Sequence, residues 1–150
     1  MKRDEMKLLK EELELVQDSN EMLEYSYMKC KEIGIKETYT YEELDKFEAL
    51  TSRFARTGDI LIQKIFRLID IIELEMPGTI IDRINRAEKK GLITSAKIFK
   101  NIRRLRNEIA HEYIPTAIEE IFKAVLKLTP HLIECVERVK AYSENMMSED

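Results

Sequence analysis

Glycine and proline are scarce, with four and three in 150 residues, and tryptophan is absent. Few residues therefore break a helix, and no stretch of alternating Val, Thr and Tyr is long enough for a sheet. Cysteine is limited to Cys30 and Cys135, with no Cys-x-x-Cys pair and no histidine at ligand spacing. That excludes a disulfide framework or a zinc knuckle and leaves two small apolar core residues. No apolar run approaches membrane-spanning length. The start, Met-Lys-Arg-Asp-Glu, has no apolar signal region, so the chain reads as cytoplasmic. What is abundant is charge, 36% of residues beside 44% hydrophobic. That mixture fits long amphipathic helices around one core in a single domain spanning 1–150.

The periodicity places five helices. The first spans about Arg3 to Ile33, with Met6, Leu9, Leu13, Val16, Leu23, Tyr27 and Cys30 inward, Asn20 as a polar gap and Gly34 as the stop. The second opens with Thr40 and Glu43 as a capping box. Its stripe is Leu44, Phe47, Leu50 and Phe54, then Leu61, Ile65, Leu68, Ile72 and Met76, ended by Pro77-Gly78. Gly58-Asp59 is expected to bend or interrupt it. A short third helix begins at Thr79, points Ile80, Ile81 and Ile84 inward and closes at Gly91. The fourth runs from Thr94 or Ser95 to about Tyr113, with Ala96, Phe99, Ile102 and Ile109 inward and either Leu105 or Arg106 between them. Pro115 blocks continuation, and Thr116 with Glu119 forms another capping box for the fifth. Ile118, Ile121, Val125, Leu128, Leu132, Val136 and Val139 face inward, Pro130 introduces a kink, and residues after about Asn145 fray. Short connections make neighbours antiparallel. The expected fold class is all-α, an up-and-down bundle of four main helices plus one short helix.

The net charge of −4 hides an asymmetry. From Arg83 to Arg106 nine basic residues face one acidic, a local +8 that leaves −12 for the remainder. Such a stripe is either a solvated helix face or a place to hold a polyanion. Lys97, Lys100, Arg103 and Arg104 are the candidates within it for holding a polyanion.

The segment with chemistry is Arg106-Asn107-Glu108-Ile109-Ala110-His111-Glu112-Tyr113. It offers a guanidinium, an amide, an imidazole and a phenol within two turns. Asn107 and His111 share a face at i, i+4. Arg106 and His111, five apart, diverge by roughly 140° in a straight helix and meet only if the helix loosens. The same residues also suit a plain helix end, because cations favour the C-terminal dipole. The other histidine, His131, sits beside apolar positions and has no such company.

Arg106-Asn107-x-x-x-His111-x-Tyr113 resembles the Arg-x4–6-His motif of the HEPN superfamily. The form with Asn after Arg and Tyr two after His is similar to the HepT toxins, which are paired with MntA-type minimal nucleotidyltransferase antitoxins. Helical class, length and the motif's place on the penultimate long helix agree. Ile114-Pro115-Thr116 lacks the acidic residue that often follows the tyrosine in relatives. The resemblance implies a metal-independent endoribonuclease with no cofactor. His111 would be the base toward the RNA 2′-OH, Arg106 the counter-charge to the phosphate, and Asn107 a supporting group. It further implies a homodimer whose two motifs face one cleft. It implies neutralisation by AMPylation of Tyr113, which would add charge and bulk beside the motif. A related HEPN subunit that binds substrate for a nucleotidyltransferase without cleaving, and a scaffolding bundle with no site, are the competing readings.

Overall fold

The computed structural model describes residues 2–111 and 115–148 of the chain. Helices α1 (Lys2–Ile33), α2 (Tyr41–Asp59), α3 (Phe66–Ile72), α4 (Ile80–Lys90), α5 (Ala96–His111) and α6 (Pro115–Ser148) account for nearly all of them. A π-helical segment, Ile60–Ile65, joins α2 to α3 without a break, so the three form one long rod. Among the described residues there is no strand. No helix is long and apolar enough to cross a membrane.

Helix starts follow the local chemistry. Thr40 accepts from the Glu43 backbone while Glu43 accepts from the Thr40 backbone, and Thr79 and Asp82 repeat the arrangement at α4. These hydrogen bonds hold both carboxyls below the usual carboxylate range, with Lys36 the largest influence on Glu43 and the Thr79 backbone on Asp82. Gly91 ends α4 at φ 80, where a Cβ would strain the chain.

Cross-helix contacts fix the topology. Ser26 meets Arg53, Ser19 meets Thr57 and Glu12 meets Lys64, so α1 runs antiparallel to the α2–α3 rod. Asp59 meets Arg106 and Phe66 meets Phe99, so α5 is antiparallel to the rod as well. Phe47 stacks on Phe122 and Glu73 accepts from Tyr142, so α6 runs parallel to it. Four long helical pieces thus alternate in direction, with α4 as the short addition. The core is their shared interior, including Leu9, Val16, Leu23, Phe47, Phe54, Leu61, Ile69, Ile102, Val125 and Val139. Both cysteines are buried and free. Desolvation pushes the Cys30 thiol up to about 11 and that of Cys135 higher still.

Several expectations are corrected. The second helix does not reach Pro77: it ends at Ile72, and Leu74 turns the chain at φ 60. Met76 is therefore 77% exposed, not part of the apolar stripe. Ile81 is exposed, while Ile84 carries the packing of α4. Helix α6 continues past Asn145 to Ser148, with Pro130, where a kink is expected, inside it. Thr129, just before that proline, donates from its hydroxyl to the Val125 carbonyl at 2.6 Å, a back-bond of the kind that bends a helix. Asn20 is buried, as its place in the inward stripe of α1 requires, beside Ser19, whose hydroxyl bonds Thr57 at 2.7 Å. The capping box expected at Thr116 involves a side chain outside the described residues.

Candidate functional site

Helix α5 has a clear inside and outside. Ala96, Phe99, Ile102 and Leu105 are buried, which settles the Leu105-or-Arg106 alternative in favour of Leu105. Arg106 lies beside that line and reaches across to the rod. Its Nε donates to Asp59 Oδ1 at 3.0 Å and its Nη2 to Asp59 Oδ2 at 3.0 Å. Of the five guanidinium N–H donors, two are engaged among the described residues, which leaves both of those on Nη1 and one on Nη2 for another acceptor. The Asp59 hydrogen bonds are the largest influence on Arg106 and raise its pKa above the usual arginine value, so it is a permanent cation here.

Asp59 is the last residue of α2, immediately before the π-helical turns. Widened turns of this kind interrupt the ordinary α-helical phase and recur at functional positions. The neighbouring residue, Gly58, has only Ile102 Cγ2 near its missing Cβ, at 3.9 Å, so α5 packs close to the rod at this level.

Arg106 and Asp59 line an open groove of about 1130 Å³ between α1, the rod, α5 and α6. Buried Phe54, Ile102, Ile121 and Phe122 supply its apolar lining. Arg56, Lys64, Arg103 and Asn107 supply polar groups. Glu12 pairs with Lys64 at 3.6 Å, and its Oε2 is buried with no hydrogen-bond partner among the described residues.

His111 is the final residue of α5, is exposed, and does not line this groove. The helix stays α-helical through His111, so the loosening that would swing it toward Arg106 does not occur within the helix. At 100° per residue the two side chains leave the helix roughly 140° apart. Asn107 is exposed at the edge between them and shares the His111 side. Tyr113 lies outside the described residues.

The basic run divides in two. Arg83 donates to the Ile62 carbonyl at 3.1 Å. Arg86 and Lys90 meet Asp70, Glu73 and Glu75 at the end of α3, with Lys90 2.8 Å from Asp70 and 2.9 Å from Glu73. Those three cations knit α4 to the rod and leave the surface charge smaller than the sequence count. Lys97, Lys100, Arg103 and Arg104 have no carboxylate among the described residues within ion-pair distance.

Asp59 was not singled out from the sequence. It stands 47 residues from Arg106, and no local spacing links them. The only signal was an acid following a glycine in the middle of an apolar stripe. In comparisons with known proteins, no family model matches the chain, and no curated protein matches it.

Proposed function

We propose that this chain is a HEPN-like, HepT-type ribonuclease that cleaves RNA with Arg106 and His111 and works as a homodimer. The observation that carries the reading is the state of Arg106: charged, oriented side-on by Asp59, and left with three donors at the edge of an open groove. An arginine so held is suited to the non-bridging oxygens of a phosphate. The bundle topology, with the motif ending the penultimate long helix, is consistent with the resemblance.

In this reading His111 accepts the proton of a 2′-OH. The freed oxygen attacks the adjacent phosphorus and the bond to the 5′-oxygen breaks. That oxygen takes up a proton, leaving a 2′,3′-cyclic phosphate and a 5′-hydroxyl. Because Arg106 and His111 leave α5 in different directions, one phosphodiester is best served by His111 of one copy and Arg106 of another. The regulatory part rests on the resemblance alone: a minimal nucleotidyltransferase partner would place AMP on Tyr113.

The divergence of the two side chains within one copy also favours a second reading, a substrate-binding HEPN subunit with no cleavage of its own. Incubating the purified protein with single-stranded RNA in EDTA separates the two. Cleavage with cyclic-phosphate ends, reduced roughly 10²–10⁴-fold in Arg106→Ala or His111→Ala, is expected of the ribonuclease. Intact RNA with the unaltered protein would leave only the second reading.

A further inference from the structure

The cations of α5 do not all face Arg106. Taking Lys97 as the reference direction, Lys100, Arg104 and His111 fall within about 60° of it, and Asn107 within about 80°. Arg103 and Arg106 point well away from that line and toward the groove. Lys97, Arg104, Asn107 and His111 are exposed and Lys100 is half-buried. The apolar side of α5 is buried on the opposite flank, so this outer face is set by the fold and not by side-chain flexibility.

We propose that this outer face is the track for single-stranded RNA, with Lys97, Lys100 and Arg104 gripping successive phosphates and delivering the strand to His111. The inference rests on the ribonuclease reading for the role of His111, but the track itself is a binding claim. A helix C-terminus carries a partial negative charge of about half a unit, which repels a phosphate. A phosphate at His111 therefore needs cations close by, and Arg104, two turns back on the same face, is the nearest arginine in line with it. The one acid of α5, Glu108, borders Arg104 at i, i+4 and is not in ion-pair contact with it. From Lys97 to His111 the helix rises about 21 Å. A stacked strand advancing about 3.4 Å per nucleotide would cover that distance with about six nucleotides. The acidic remainder of the chain repels RNA and keeps it on this face.

The test is fluorescence anisotropy in EDTA, using a labelled single-stranded RNA of about twelve nucleotides blocked by 2′-O-methyl groups. Binding is followed over a range of salt concentrations for the unaltered protein, a Lys97→Ala/Lys100→Ala/Arg104→Ala variant, and a Lys7→Ala/Lys10→Ala/Lys140→Ala control. The control removes the same charge from exposed positions on α1 and α6. Each phosphate contact in single strands contributes about 0.7 to the slope of log affinity against log salt. The α5 variant should lose about 2 from that slope, and affinity with it, while the control keeps both. Helical circular dichroism of each protein checks the fold. Equal losses in variant and control would overturn the track in favour of general charge attraction. An unchanged slope in the α5 variant, with RNA cleavage by the unaltered protein intact, would overturn the track and leave the ribonuclease reading standing. No RNA binding by the unaltered protein would overturn both.

Discussion

Asp59 and Arg106 meet side-on, carboxylate to Nε and Nη2, with both oxygens within 3.1 Å of the guanidinium. The pair is partly exposed, with 33% of the arginine side chain and 42% of the aspartate side chain accessible. Its contribution to stability is therefore small, below about 1 kcal/mol. Its contribution to orientation is larger, because it sets which three donors face outward. Asp59→Ala should leave the denaturant midpoint nearly unchanged yet, on the proposed ribonuclease reading, lower RNA cleavage by up to about 10²-fold, the scale of a misplaced catalytic group. Cleavage equal to that of the unaltered protein would show that Arg106 needs no such support.

The divergence of Arg106 and His111 makes a prediction about copies. Mixing Arg106→Ala with His111→Ala protein, each inactive alone, should restore activity if a site draws one residue from each copy. Half of the randomly mixed dimers would be heterodimers, and each would contain one intact site, so roughly a quarter of full activity should return. Chromatography after mixing confirms that subunits exchanged. No recovery in exchanged dimers would place both groups in one copy.

Leu74 combines two unfavourable features, a φ of 60 and a side chain 90% exposed. The left-handed conformation costs an L-residue about 1–2 kcal/mol, and the leucine gains no packing in return. Leu74→Gly should raise stability by about 0.5–1 kcal/mol, a melting shift of ~1–4 °C. Leu74→Ala keeps the Cβ and should shift little. Equal gains from both variants would mean that removing exposed leucine, not relieving the backbone, is the cause.

Alkaline pH should unfold this protein early. Cys30 moves from 9.0 to about 11, chiefly through burial. Tyr142 also rises, first through desolvation and then through its bond to Glu73. Both hold their protons more tightly folded than unfolded. Their stabilisation is complete below the unfolded values, and it is lost as pH climbs from about 9 through the folded values. Urea midpoints should fall between pH 8 and pH 11, with Cys30 contributing of order 2 kcal/mol in free energy, and Cys30→Ala should lessen the fall while Tyr142 and buried Cys135 maintain the rest. A midpoint constant over that interval would contradict the assignment.

The sequence made the helices legible where a strict repeat met a cap. Thr40 and Thr79 declared their helix starts, and Gly34 and Gly91 their stops, because each acts on backbone groups only a few residues away. The end of the rod is not legible, because Met76 continues an apolar spacing that the chain abandons at Leu74. Nothing in a one-dimensional stripe marks where a tertiary network takes over. Here Lys90 draws Asp70, Glu73 and Glu75 together and pulls the chain into its turn. The same long-range contacts hid the true distribution of basic charge. Motif residues Arg106, Asn107 and His111 were visible as letters, while Asp59 became visible only once the rod and α5 were packed.

The π-helical stretch Ile60–Ile65 means that the rod is one residue longer than an uninterrupted α-helix over the same path would need. Tightening those turns to ordinary α-helical winding with every residue kept would turn everything beyond by about 100° relative to Asp59. Phe66 and Ile69 would leave the interior, or the aspartate would swing off its arginine. The chain therefore cannot tighten those turns without choosing between a filled centre and an aimed guanidinium.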